Sequence, residues 1–416
     1  MRVAAIRALF ANRNYAIYIS GNIVSLTGTW IQSIAFGWLI WQLTQSVFWV
    51  GVMSMVSFVP TLLAGLVGGV MADRMDRFRL TATTQIFSFA LTFGFFILYE
   101  LGWVNLAVAM CFRVLLSISI SVSQPARMTI IPTLVEPHQL ASAVSFGSMV
   151  FNTARFIGPA IAALTIAAFG LGAAFLLNAL SFLTMCLALA AIRIDRTALN
   201  NRPTKKKASV WTDFGNSFGY VANHGGLGVI FLLAAVTVIC VRPISDFLPA
   251  TVDLIFGKGV ESVAILTSSL AGGSILGGVW AAGRDAKGLV TSALLASGAY
   301  ACCIVAFMWI GNFWLGCGIF ALAGFFTVAF MTAAQTLIQT SVDDEMRGRV
   351  LSLWFVLSRA GPDIGAFSMG IVASGLGLQV TFTVGALLCI GASLLAWHRR
   401  ATIAPILERV MGIERG

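Results

Sequence analysis

Charge is scarce in this chain. Only 10% of its 416 residues are Asp, Glu, Lys or Arg, and histidine occurs three times, against 58% hydrophobic residues. Soluble domains carry about 25% charged residues, so this poverty, with a mean hydropathy of +0.92, excludes a water-facing globule and indicates an integral membrane protein. The charge that is present leans positive, with 26 Lys and Arg against 16 Asp and Glu.

Reactive motifs are missing too. There is no HExxH, no phosphate-binding glycine loop with its lysine, and no His/Cys cluster, so neither metal chemistry nor ATP hydrolysis has residues to carry it. No enzyme, metal or bound cofactor is expected, and the energy for any work must come from a gradient. The seven cysteines are odd in number, fall in apolar runs and lack metal-ligand spacing, which reads as small core residues. His138, His224 and His398 fall in loops, so no histidine is expected as a proton carrier inside the membrane. The first twenty residues lack a short apolar core with a small-residue cleavage site, and the first span is read as its own insertion signal.

Long apolar runs are what the chain does have. Twelve are expected to cross as helices: 15–41, 48–72, 80–100, 104–126, 140–168 and 172–193, then 227–251, 261–283, 288–310, 312–336, 350–374 and 377–397. The domains expected are a bundle over 1–193, a cytoplasmic linker over 194–226, a second bundle over 227–400 and a cytoplasmic tail over 401–416. In the linker, Trp211, Phe214 and Phe218 form an apolar stripe beside a basic run, which predicts a short interfacial helix.

Sorting the basic residues against alternate loops orients the chain. With both termini in the cytoplasm, 21 of the 26 Lys and Arg fall inside, Arg127 among them, and Lys258 alone falls outside. The other four, Arg113, Arg155, Arg242 and Arg359, lie in spans. The net charge of +10 then suits an anionic inner leaflet, and no nucleic-acid partner is needed.

The two halves repeat. "GGVMADR" at 68 returns as "GGVWAAGRD" at 277, and "IPTLVEPHQLASAVS" at 131 lines up with "IQTSVDDEMRGRVLS" at 338, offsets of 209 and 207. Both pairs occupy equivalent loops, so a duplicated six-plus-six helix architecture is expected.

"GGVMADRMDRFRL" resembles the loop motif between spans two and three of the major facilitator superfamily, with Gly69, Asp73, Arg74, Arg77 and Arg79 at matching positions and Asp76 where the general pattern has glycine. "NYAIYISGNIVSLTGTWIQSIAFGWLIWQLT", "SQPARMTIIPTLVEPHQLASAVS", "FNTARFIGPAIAAL" and "DDEMRGRVLSL" are similar to the branch containing the enterobactin exporter and macrolide efflux proteins, in which Asp often stands at that loop position. The resemblance implies an all-α membrane protein of two pseudo-symmetric six-helix bundles rocking about a central cavity, usually driven by protons. It implies a multi-pass transporter of a bacterial-type cytoplasmic (inner) membrane, and a monomer is expected. Asp73 and Arg77 are expected to work a cytoplasmic gate. Span five matches the antiporter pattern only at Gly158 and Pro159, a step that can bend the helix.

Charges deep in the spans are the candidate functional residues, because a charge at mid-bilayer costs at least about 2.5–3.5 kcal/mol. Arg242 and Asp246, and again Arg359 and Asp363, stand four residues apart, which on a helix places each arginine beside its own aspartate. Two readings stay open: a static brace, or a latch in which movement of the arginine changes the protonation of Asp246 or Asp363. Arg113 resembles a family arginine placed in proton coupling. Arg155, Arg242 and Arg359, with Asn22, Trp30, Gln32, Gln124, Asn152 and Gln335, are the expected charge partners or cavity residues, and Trp38 and Trp354 are further candidates for stacking on a solute. Four deep arginines against two deep aspartates favour an anionic solute. The expected function is proton-coupled export of a siderophore-like or drug-like small molecule. An importer, a lysophospholipid flippase and a non-transporting sensor are the rivals.

Overall fold

The computed structural model describes residues 3–193, 218–283 and 288–408, and no strand occurs among them. Helix is what the apolar runs must form, since a segment in hydrocarbon has to satisfy its own backbone N–H and C=O groups. The first half comprises α1 (Val3–Ala11), α2 (Arg13–Thr44), α3 (Val47–Arg74), α4 (Arg77–Glu100), α5 (Leu106–Leu134), α6 (Leu140–Phe169) and α7 (Leu171–Ala191). The second comprises α8 (Leu227–Val236), α9 (Leu248–Phe256), α10 (Val260–Ala282), α11 (Leu289–Trp309), α12 (Phe313–Ser341), α13 (Asp344–Leu376), α14 (Leu378–His398) and α15 (Arg400–Glu408).

Among the described residues, eleven segments are long and apolar enough to cross a membrane, the seventh running from Leu227 to Ser245. The twelfth expected span, α13, has the length at 33 residues, while its charged first turns and the Arg359–Asp363 stretch lower its hydropathy. By contact the chain divides into two compact units. One comprises Met1–Gln45, Val56–Lys205 and Gly259–Ala264; the other comprises Ser46–Met55, Lys206–Lys258 and Ile265–Gly416.

The repeat reappears as matched local devices. Asn105 caps α5 by accepting from Val108 N, and Asn312, 207 residues on, caps α12 by accepting from Trp314 N and Leu315 N; asparagine is among the best residues for this task. Gly170 joins α6 to α7 at φ +82°, and Gly377 joins α13 to α14 at φ +81°, a region costly for any residue with a Cβ. In the first unit a Cβ on Gly68 would stand 2.6 Å from the Val122 carbonyl oxygen, and in the second a Cβ on Gly277 would meet the Phe325 carbonyl. Such close backbone approach is how helices associate in lipid.

Two expected boundaries shift. α5 continues to Leu134, so Arg127 is a helix residue rather than a loop residue. Residues 400–408 are a docked helix rather than a free tail: Ile403 and Leu407 are buried, and Ser341 Oγ donates to the Leu407 carbonyl at 2.7 Å. Of the expected interfacial stripe, Trp211 and Phe214 lie outside the described residues, while Phe218 starts a described helical stretch and is exposed.

Candidate functional site

The seventh span is not a continuous helix. α8 ends at Val236, a π turn covers Thr237–Val241, a 3-10 turn covers Arg242–Ser245, and α9 starts only at Leu248. Pro243 causes part of this, since it has no N–H for the Ile239 carbonyl. The placement of Arg242 and Asp246 on one α-helical face is therefore corrected: in a 3-10 turn residues three apart eclipse, so Arg242 aligns with Ser245.

Arg242 instead reaches α13, its Nη1 donating to the Ser358 carbonyl at 3.2 Å. That carbonyl is the one that Pro362, four residues on, leaves without a helical donor. The glycines flanking Pro362 and Asp363 make room for the broken segment. A Cβ on Gly361 would stand 2.6 Å from Val238 Cγ2, and one on Gly365 would meet the Ile239 carbonyl. Arg359 and Asp363 do share a continuous helix, α13. Asp246 and Arg359 are exposed, and Arg242 and Asp363 are half-buried.

In the first unit Arg113 Nε donates to Ser57 Oγ at 2.6 Å, and the Arg155 guanidinium lies 5.6 Å from the Trp30 ring centroid. Gly158 holds α6 against α2, where its Cβ would stand 2.5 Å from Trp30 Cβ; Pro159 beside it is buried within an unbroken α6. Asn22 Oδ1 accepts from Arg127 Nη2 at 2.6 Å. Nothing in the sequence pattern had singled out Arg127; the signal available was a helix-compatible stretch continuing past residue 126.

Several expected cavity residues are committed elsewhere. Gln32 is 2% exposed and accepts from Asn178 Nδ2, deep between α2 and α7, so its reading as a cavity residue is corrected. Trp38 and Trp354 are packed core, Trp354 edge-on to Phe231. Asn152 bonds the Ser148 carbonyl of its own helix. Gln124 is exposed and Gln335 half-buried. A wholly apolar cavity of about 330 Å³ between α3 and α5, lined by Val59, Pro60, Leu63 and Ile118 among others, includes none of these polar residues.

At the loop motif, Asp76 is the N-cap of α4, accepting from Arg79 N at 2.7 Å, which gives aspartate a reason to stand where the general pattern has glycine. Arg77 Nη1 reaches the Thr129 carbonyl of α5 at 3.5 Å, Arg74 and Arg79 are exposed, and Gly69 has open space where a Cβ would go. The side chain of Asp73 lies outside the described residues.

Residues 5–405 match the family model described as transmembrane secretion effector. The staphyloferrin A transporter of Staphylococcus aureus is 25% identical over 88% of this chain and 91% of that protein, and macrolide efflux protein A of Streptococcus pyogenes is 24% identical over 90% and 93%. In fold, the chain resembles a bacterial homologue of the human lysosomal transporter Spinster in its inward-facing, unoccupied conformation, with a TM-score of 0.66 at 16% identity, covering 95% of this chain and 97% of that one. With the six-plus-six helix order and the matched devices at 207–209 residue offsets, the match over nearly the whole chain means that this protein is a multi-pass membrane transporter of the major facilitator superfamily, belonging to its transmembrane secretion effector family.

Proposed function

We propose that the chain exports a siderophore-like or drug-like small molecule, anionic or aromatic, by proton-coupled alternating access with both termini in the cytoplasm. The observation that carries this reading is the charge inside the helices. Arg113, Arg127, Arg155, Arg242 and Arg359 stand against Asp246, Asp253 and Asp363, an excess of two positive charges with Arg127 counted on α5 and Asp253 on α9. A cation would be repelled by such a field and an oxyanion drawn to it. The similarity to the staphyloferrin A transporter and to macrolide efflux protein A supports export of a small molecule.

Asp246 and Asp363 are the proton carriers in this proposal. Each is close in sequence to an arginine, and each adjoins the broken seventh span or the glycine-lined face of α13 that receives it. A shift of that contact changes the charge each carboxylate faces, which is what coupling requires.

The test is flux into everted membrane vesicles under an imposed pH gradient, acid inside, with a polycarboxylate such as citrate and aromatic drugs that carry no amine as probes. Wild type is expected to accumulate probe and to lose the accumulation when a protonophore is added. Asp246→Asn and Asp363→Asn are expected to retain downhill flux and lose the gradient-driven part. Accumulation that both variants leave intact would remove the coupling assignment, and no flux of any probe would favour a non-transporting role.

A further inference from the structure

Every exposed residue of α14 before His398 is aliphatic, among them Val380, Val384, Leu388 and Leu395 at 42–70% exposure. Their spacings of four, four and seven keep them on one face. On a helix that crosses the bilayer, such a face meets lipid. His398, Arg399 and Arg400 follow directly and are exposed, Arg399 one turn beyond Leu395 on the same side. The change from aliphatic to basic marks the level at which hydrocarbon gives way to headgroups.

Trp397 stands at that level, half-buried against the apolar core of the second unit. Its ring also carries Arg400, whose guanidinium carbon lies 3.8 Å from the ring centroid. Stacking holds a guanidinium by its face and leaves its N–H groups pointing outward in the plane. Arg399 is the joint between α14 and α15, its carbonyl accepting from Thr402 N and Ile403 N at 3.0 Å each. The charge balance here does not depend on which side chain meets which. Residues 398–416 hold Arg399, Arg400, Arg409 and Arg415 against Glu408 and Glu414, and residues 284–287 before α11 add Arg284 and Lys287 against Asp285. Glu408 is taken up by the backbone N–H groups of Gly288 and Val290.

We propose that Arg399 and Arg400, the second oriented by Trp397, bind the phosphate of an anionic phospholipid and so fasten α15 to the membrane surface. Arginine takes a phosphate with two parallel hydrogen bonds, and the first turn of α15 adds the positive end of its dipole. The inference concerns the bilayer and stands apart from the export reading.

The test counts retained lipid by native mass spectrometry after purification with a mixture of phosphatidylglycerol and phosphatidylcholine. Wild type is expected to keep phosphatidylglycerol in preference, and the double variant Arg399→Gln, Arg400→Gln to lower that preference roughly tenfold. Arg13→Gln, which changes an exposed arginine at the start of α2, should leave it unmoved. In nanodiscs, hydrogen exchange at the Thr402 and Ile403 amides should slow as phosphatidylglycerol replaces phosphatidylcholine around wild type, and should stay flat in the double variant. Soluble glycerol 3-phosphate added to phosphatidylcholine discs should not substitute for the lipid. Each protein is compared with itself across lipids, so a general loss of stability does not imitate the result. Wild-type preference in the double variant removes the site, and an equal loss in Arg13→Gln makes the effect a diffuse field of basic residues; either overturns the proposal. Slowing by glycerol 3-phosphate overturns it also, since the corner would then bind a free phosphate ester.

Discussion

Arg242 donates to the backbone carbonyl of Ser358 at 3.2 Å, the one carbonyl on α13 that Pro362 deprives of its helical partner. A side chain in one broken span thus completes the hydrogen bonding of another helix.

This predicts a compensating pair. Arg242→Leu leaves the Ser358 carbonyl unsatisfied and is expected to cost about 1–3 kcal/mol. Pro362→Ala restores an N–H at residue 362, so the carbonyl regains a helical donor. The double variant should then be more stable than Arg242→Leu alone, read as the thermal unfolding midpoint in detergent. Simple additivity of the two changes would contradict the arrangement.

The sequence made the charges visible and misjudged their geometry. Arg242 and Asp246 stand four apart, but the spacing carries meaning only on an α-helix, and Pro243 with the π turn before it removes that premise. Arg359 and Asp363 kept it because α13 accommodates Pro362 without breaking. Arg127 was hidden for the opposite reason: a span boundary at residue 126 made a helix residue into a loop residue, although α5 runs on through both Pro125 and Pro132. Hydropathy located the spans well, since length and apolarity are set by the bilayer. It is blind to which polar residue faces which neighbour, so Gln32 looked like a cavity residue and is bonded to Asn178 instead.

The duplicated glycines give a sharper test, because each has a neighbour that serves as its control. Gly68→Ala and Gly277→Ala push a methyl group into the backbone of the facing helix and are expected to cost about 1–3 kcal/mol each. Gly69 has nothing within 4 Å of a built Cβ, and Gly278 only Val328 Cγ1 at 3.9 Å, so alanine at either should be neutral or slightly stabilising. Equal effects within a pair would argue against the close helix contact.

Gln32 and Asn178 should behave as a unit. Asn178→Leu strands the buried Gln32 amide oxygen and is expected to destabilise by about 1–3 kcal/mol, with much of the loss returned by adding Gln32→Leu. Substrate selectivity should not move in either variant, measured by the vesicle assay above, because neither side chain is accessible.

Tyr220 reports on pH. Its hydroxyl donates to Asp343 Oδ2 at 2.9 Å, and burial, followed by the bond to Asp343, pushes its pKa up from 10.0. A raised folded pKa contributes stability that is complete below the unfolded value and lost as pH rises through the folded one. Tyr220→Phe is therefore expected to cost a constant increment of about 0.5 kcal/mol between about pH 6 and 9, small because the bond is exposed, and the gap to wild type should close only above pH 10. A gap that closes near neutrality would place the titration on another group.

The C-terminal helix is predicted to act as a cap in trans. The residue before α11 is Gly288, which has no side chain to satisfy the first N–H groups of the helix, and Glu408 supplies the acceptors from 118 residues beyond Val290: Oε1 accepts from Val290 N at 3.1 Å and Oε2 from Gly288 N at 3.4 Å. A carboxylate at a helix N-terminus is favoured both as a hydrogen-bond acceptor and by the helix dipole. Glu408→Ala should cost about 0.5–2 kcal/mol and speed hydrogen exchange at Val290 while leaving the amides in the middle of α14 protected. Removal of residues 400–416 should cost more, since it also exposes the surface covered by Ile403 and Leu407, each worth about 1.5–3 kcal/mol when fully buried. If exchange at Val290 is unchanged in Glu408→Ala but rises on truncation, the apolar docking alone holds this end of α11 and the carboxylate has no capping role.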